Sequence, residues 1–350
     1  MRSFGSDNHS GIHPAILEAI HQANIDHTCA YGDDVYSEAL QKKVEEIFGK
    51  HATIFPTFNG TGANICALRA CVQPFHAILC PNNAHIFVDE CGAPEYLTGA
   101  ALKATPTKDG KVTVEMLEPF LHAFGFEHHS QTKVLYISQT TELGTVYKPE
   151  EIKKLAHFLH HHKMYLHMDG ARLANAAATL QCSLKEITVD CGVDILSFGG
   201  TKNGMLMGES VITFRPELAE NMKYIRKQST QLFSKMRFSA AQFLAYFENE
   251  LWLTNALCAN KMAQLLRRKI EETGDFEFTQ PTEANIILVK FSPTLITEML
   301  KHHFFYVWNE NTHEIRLVTS WDTTEVDVEG FIQTLNTFKF SRKGTEAQRY

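Results

Sequence analysis

Two residue types at a telling spacing hold the chemical interest of this chain. Lys202 stands in Ser197-Phe198-Gly199-Gly200-Thr201-Lys202-Asn203-Gly204, between glycines and just past an apolar strand pattern at 195–198. Asp169 stands in His167-Met168-Asp169-Gly170-Ala171-Arg172, at the end of another apolar run at 165–168. An amine mounted on a rigid strand end can be steered into a pocket, desolvated and used as a nucleophile. Most lysines are solvated surface groups, and Asp-Gly by itself often only marks a turn. The two residues lie 33 positions apart, about one helix plus its connections. In a doubly wound sheet the carboxyl ends of such strands line one crevice, where ligands bind.

A lysine that forms a Schiff base and an aspartate that keeps a pyridine nitrogen protonated are the pair pyridoxal phosphate requires. The protonated ring then accepts electrons from a carbanion at the substrate's Cα. A phosphate needs its own cradle. Gly60-Thr61-Gly62-Ala63-Asn64 opens a helical pattern, where free N–H groups and the helix dipole favour an anion. Gly60 and Gly62 permit close backbone approach, and Thr61 adds a hydroxyl. An ordinary helix cap gives the same pattern, and the Gly-Lys-Ser/Thr ending of a nucleotide P-loop is missing.

Three more side chains fit a site. His85 follows the strand pattern at 77–80 and is either an imidazole stacked on a cofactor ring or a satisfied loop histidine. Arg237 lies in Ser234-Lys235-Met236-Arg237-Phe238. Arg316 lies in Glu314-Ile315-Arg316-Leu317-Val318-Thr319, inside an apolar strand pattern. An unpaired guanidinium there is costly, so Arg316 meets an anion, either a structural Glu or a substrate carboxylate.

The elements that must position these groups alternate. Strand patterns at 53–55, 77–80, 102–104, 134–138, 165–168, 195–198 and 211–214 interleave with helical ones at 65–71, 114–124, 150–162 and 172–179. This predicts an α/β fold with a mostly parallel sheet covered by helices. The strands are near-continuous apolar runs, as expected when both faces are buried. An extended polar arm at 1–14 precedes a large domain at 15–245. A small α+β domain follows at 246–340, led by a long helical stretch over about 240–272, and a polar tail occupies 341–350.

Composition narrows the class. The 350 residues are 44% hydrophobic and 21% charged, an ordinary soluble balance. The net charge of -7 gives no reason to expect nucleic acid or an anionic membrane as partner. The N-terminus does not read as a signal peptide, and no apolar run is long enough to span a bilayer. Eight scattered cysteines without a Cys-x-x-Cys pair imply a reduced, cytoplasmic protein. His157, His160, His161 and His162 lack a companion carboxylate or cysteine set, so they read as a solvated helix face and no metal is expected.

Taken together, these motifs resemble the threonine aldolases, a branch of the type I pyridoxal phosphate enzymes related to the β-eliminating lyases. The resemblance runs from Ser6-Asp7 through Tyr31-Gly32-Asp33-Asp34, Ala84-His85 and the segments quoted above to the final helix. It implies an aspartate aminotransferase-like fold, with Lys202 carrying pyridoxal 5'-phosphate, Asp169 holding its ring nitrogen and His85 stacked on the ring. Gly60, Thr61, Gly62 and Arg237 would bind the phosphate, Arg237 reaching in from a neighbouring subunit. Ser6, Arg172 and Arg316 would hold the substrate carboxylate, and Tyr31 would come from across a dimer interface. The family's enzymes are homotetramers built from dimers that share active sites.

The implied reaction is retro-aldol cleavage of L-threonine or L-allo-threonine to glycine and acetaldehyde. His85, a water near it, or His128 or His129 would take the β-hydroxyl proton. β-Elimination, cleavage of bulkier substrates such as phenylserine, and a catalytically silent scaffold are the alternatives. There are two departures. Where many members have Glu-Asn-Thr-His-Asn, this chain has Ser138-Gln139-Thr140-Thr141-Glu142-Leu143-Gly144, and it has Thr201 where many have serine.

Overall fold

The computed structural model describes residues 2–340; the tail at 341–350 lies outside the described residues. Seven strands make the main sheet: β1 (Thr53–Thr57), β2 (His76–Pro81), β3 (Ala101–Thr105), β4 (Gln131–Ser138), β5 (Tyr165–Gly170), β6 (Ile195–Gly199) and β7 (Glu209–Thr213). Their order is β1-β7-β6-β5-β4-β2-β3. β7 runs antiparallel to both neighbours, and the remaining pairs are parallel. The carboxyl ends of β4, β5 and β6 therefore share one edge. The reversed β7 contributes its first residue, Glu209, to that edge opposite Gly199.

Both faces of the sheet are covered, which explains the continuous apolar runs. Side chains alternate between faces along a strand. Leu135 and Ile137 of β4 join a core with Leu166, Leu196, Leu155 and Leu173. Val134 and Tyr136 join a second core with Ile78, Ile195, Ala67 and Leu68 of the helix Gly60–Cys71. Helices Pro149–His161 and Leu173–Leu180 fill the crossovers on either side of β5.

The smaller sheet has the order β8-β10-β9, all antiparallel, from β8 (Ile286–Lys290), β9 (Tyr306–Asn309) and β10 (Glu314–Val318). It packs on Leu251–Thr273 and Glu325–Phe340 through Met262, Leu266, Val289 and Phe331.

Several expectations need correction. The arm is not merely extended and polar. Phe4 is fully buried in the smaller core, and its backbone bonds to Phe304 and Val318 at 2.8 and 2.7 Å. The long helical stretch is two helices, Met236–Phe247 and Leu251–Thr273, broken where Asn249 and Glu250 take positive φ. The pattern at 114–124 divides into Val114–Leu117 and a 3-10 segment, Glu118–Ala123, with Pro119 at the junction lacking an N–H to continue the ladder. Two helices, His85–Val88 and Ala93–Thr98, are too short to show a period. His160 is not simply solvated, since its Nε2 lies 2.9 Å from buried Asp194, which Arg215 also contacts. Among the described residues no group of His, Cys, Asp and Glu could hold a metal, all eight cysteines are free thiols, and no helix is long and apolar enough to cross a membrane.

Candidate active site

One register level of the large sheet forms the floor of a pocket. Ser138 of β4 pairs with Asp169 of β5, and Asp169 pairs with Ser197 of β6. Residues paired laterally point to one face, so the three side chains line the pocket together. The Asp169 Oδ2 accepts from the Tyr136 hydroxyl at 2.6 Å and from Asn64 Nδ2 at 2.9 Å. Its Oδ1 accepts from the Ala171 N–H at 2.9 Å. Burial alone would raise this carboxyl. The bonds from Tyr136 and Asn64, with the charge of Lys202, outweigh burial and hold it below the usual carboxylate range. Asp169 is thus ionised, and Oδ1 keeps acceptor capacity.

Lys202 rises from a single 3-10 turn, Thr201–Asn203, beyond the end of β6. The turn is clamped. Asn203 Nδ2 donates to the Tyr246 hydroxyl at 2.7 Å and to the Trp252 carbonyl at 2.8 Å. Asn255 Nδ2 donates to the Asn203 carbonyl at 2.9 Å. Gly204, at φ 102°, provides a backbone conformation that a side chain would strain. Lys202 lines the same pocket as Asp169, and its amine makes no hydrogen bond among the described residues.

At one end of the pocket lies the first turn of Gly60–Cys71. Asn59 caps it, its Oδ1 accepting from the Gly62 N–H at 2.7 Å, which leaves the first N–H groups uncommitted to the cap. Gly62 has a further reason to be glycine. The Gln231 side chain lies over it, where an added Cβ would fall 2.2 Å from the amide carbon. Gln231 is itself held by the Phe58 N–H at 2.9 Å. Glu209 borders this end beside Gly199 and Gly60, and burial pushes its carboxyl up to about 7.

At the other end lie charged groups. Arg172 donates through Nε and Nη2 to both carboxylate oxygens of Asp7, at 2.7 and 2.9 Å. Burial would raise Asp7, but the charge and hydrogen bonds of Arg172 hold it at about 2. Arg316 of β10 lies behind this end, outside the pocket lining, with its guanidinium over the Trp308 ring and its buried Nε without a partner among the described residues. Burial, then the nearby Arg172 charge, lowers its pKa to about 10. His85 Nδ1 lies 2.8 Å from Glu90 Oε1, which also accepts from Asn64 Nδ2 at 2.9 Å. A continuous chain therefore runs from His85 through Glu90 and Asn64 to Asp169 and Tyr136.

A family model described as Beta-eliminating lyase matches residues 3–292. This chain belongs to that family. It is 38% identical over 323 residues to a low specificity L-threonine aldolase from Pseudomonas aeruginosa, covering 92% of this chain and 93% of that protein. A solved structure of Leishmania major threonine aldolase superposes with a TM-score of 0.91 at 29% identity, covering 96% of this chain and 99% of that one. An alanine–glyoxylate aminotransferase from Nostoc sp. matches at TM-score 0.69 and 13% identity, over 97% and 96% of the two chains. The fold is that of the type I pyridoxal phosphate enzymes.

Within this β-eliminating lyase chain, Lys202, Asp169, His85, Gly60 and Arg172 line one pocket. Thr61 follows Gly60 in the same helical turn. Other anticipated residues lie elsewhere in the chain. Ser6 accepts from the Asn8 N–H at 3.1 Å and lines a separate cleft with Arg2 and Ser320. Arg237 donates to the carbonyls of Ile25 and Asp26 at 3.3 and 3.0 Å. Tyr31 is 51% exposed. His128 and His129 precede the amino end of β4, roughly 25 Å along an eight-residue strand from the site edge, so they are outside this subunit's pocket. Sequence reasoning missed Tyr136, Glu90, Asn64 as a side-chain donor, Glu142 and Glu209. Only Asn64 carried a readable signal, a polar side chain inside an apolar helical run.

Proposed function

We propose that this chain is a pyridoxal phosphate-dependent aldolase that cleaves L-threonine, L-allo-threonine and related β-hydroxy-α-amino acids to glycine and an aldehyde. The observation that carries the reading is the meeting of Lys202 and Asp169, from adjacent parallel strands, in one pocket. The residues fit the cofactor. An ionised buried carboxylate with a spare lone pair suits a ring N–H, and an uncommitted amine suits an aldehyde. A buried guanidinium nitrogen without a partner calls for an anion. When bound, the cofactor supplies a carbonyl for the substrate amine and a ring that takes up an electron pair from Cα.

In this reading Lys202 would hold the cofactor through its aldehyde, and Asp169 would keep the ring nitrogen protonated. Gly60, Thr61 and Gly62 would supply the helix terminus for the phosphate, and His85 would pack against the cofactor ring. Arg172, already oriented by Asp7, would act with Arg316 on the substrate carboxylate. Fixing that group would orient the substrate's Cα bonds within the pocket.

Arg237 and Tyr31 serve a neighbouring copy's site in a homotetramer of shared-site dimers. Support comes from the exposure of Tyr31 and from Arg237 lying outside its own chain's pocket lining. A division into a large domain at 15–245 and a small domain at 246–340 is supported by a second apolar core whose members run from Met262 to Leu335 together with Phe4, while Trp252, Ala256 and Ala284 pack in the large core. A cytoplasmic location agrees with the free thiols. The test incubates purified protein with a panel of β-hydroxy amino acids and measures aldehyde, glycine and ammonia. Aldehyde and glycine in equal amounts support the aldolase; ammonia with a keto acid favours β-elimination and overturns it.

A further inference from the structure

Cleavage of a β-hydroxy amino acid requires a group that takes the proton of the β-hydroxyl. Besides Lys202, the pocket presents four ionisable side chains able to accept a proton: Asp169, Glu209, His85 and Glu142. Asp169 is occupied by three donors on the sheet floor. Glu209 sits at the opposite end, beside Gly60 and Gly199, in contact with the helix terminus that suits a phosphate. His85 is turned away by its ring nitrogen Nδ1, which is committed to Glu90 Oε1 at 2.8 Å; that bond, with the charges of Glu142 and Asp169, raises its pKa against burial.

Glu142 differs from all three. It follows β4 on the loop that departs from the family pattern, and Ser138 Oγ donates to its Oε1 at 2.9 Å. That bond fixes the side chain while leaving Oε2 without a protein donor. Two guanidinium groups lie close enough for Glu142 to bias both, yet it pairs with neither. Arg172 is committed to Asp7, and the Arg316 Nε has no partner among the described residues. An oriented carboxylate beside two arginines, unpaired and lining the pocket, has a vacant acceptor position at the end where the substrate carboxylate would bind.

We propose that Glu142 is the catalytic base that takes the β-hydroxyl proton. This rests on the aldolase reading above. The O–H bond breaks and its proton passes to Glu142 Oε2. The oxygen's electron pair forms the carbonyl of the departing aldehyde, and the Cα–Cβ pair stays on Cα, where a proton from the site later completes glycine. In the synthetic direction the protonated Glu142 returns its proton to the new alkoxide. Exchange of a glycine α-hydrogen with solvent needs the same carboxylate site and the same electron uptake but no hydroxyl base, so Glu142 is irrelevant to it.

The test is Glu142→Gln in the holoenzyme, with L-threonine cleavage and glycine α-hydrogen exchange in D2O measured side by side. General-base loss predicts a fall in cleavage kcat of about 100-fold or more, with exchange within about threefold of wild type. In the cofactor-free protein, the His85 ring titration should also move to lower pH, because a negative charge facing it has gone. Cleavage within threefold of wild type overturns the proposal, and so does an equal loss of cleavage and exchange in a folded variant. If Glu142→Gln does not fold, Glu142→Ala is measured in the same way with the same criteria. A wild-type enzyme that exchanges glycine yet cleaves no β-hydroxy amino acid overturns the aldolase reading itself, before any substitution is made.

Discussion

Arg172 grips Asp7 with two parallel hydrogen bonds, 2.7 and 2.9 Å, across 165 positions of sequence. Asp7 also accepts from Asn285 Nδ2 at 3.0 Å, just before β8. One carboxylate thus ties the N-terminal arm to the large sheet's site and to the small sheet. Both partners are buried, Asp7 at 1% and Arg172 at 7% exposure. Removing one member of such a pair leaves an uncompensated charge. Asp7→Asn should destabilise the fold by about 3 kcal/mol and raise KM for the amino acid more than it lowers kcat. Urea unfolding and steady-state kinetics check the two effects separately; an unchanged KM contradicts the positioning role.

The same pair sets an acid limit. Asp7 is held at about 2 in the folded chain, against roughly 3.9 in an unfolded one. A depressed folded pKa contributes stability that is fully present above the unfolded value and is lost as pH falls from about 4 toward 2. The expected contribution is about 2.6 kcal/mol. Unfolding midpoints of wild type and Asp7→Asn should therefore converge between pH 4 and pH 2. A constant gap across that window contradicts the assignment.

Glu90 is the hinge of the chain from His85 to Asp169, since its Oε1 serves both His85 and Asn64. Glu90→Gln removes the largest influence that raises His85. The His85 ring should titrate at lower pH in the variant, read by NMR. An unchanged titration would show that the imidazole is not held by Glu90.

Gly62 should tolerate no side chain. A Cβ there meets the Gln231 side chain at 2.2 Å, and Gln231 is anchored to Phe58. Gly62→Ala should cost about 1–3 kcal/mol through overpacking and weaken cofactor retention by displacing the helix terminus. The double variant Gly62→Ala, Gln231→Ala should recover most of the stability. Failure to recover would mean that the clash lies elsewhere.

Much of the fold was legible because the strands are buried on both faces and so read as unbroken apolar runs; each of the seven emerged within a few residues of its observed ends. Lys202 and Asp169 were legible for a related reason, being polar residues where such runs stop. What the sequence hid depends on tertiary contact. Glu90 matters only because two short helices return it to Asn64, and nothing periodic announces helices of four and six residues. Asp7 looked like part of a polar arm, since its partner lies on another element. Gly62 suggested phosphate approach, whereas the space it leaves is filled by Gln231. The break at Asn249 and Glu250 escaped because neither residue is a strong helix breaker and both adopt positive φ.

The central claim is that Lys202 carries the cofactor in the pocket floored by Asp169. Borohydride reduction of the purified protein, followed by digestion and mass spectrometry, tests it directly. A phosphopyridoxyl mass on the peptide containing Lys202 and on no other, with Lys202→Ala folded but colourless and inactive, is the predicted result. A label on a different lysine, or a wild-type protein that stays colourless and unlabelled with added pyridoxal phosphate, would contradict it.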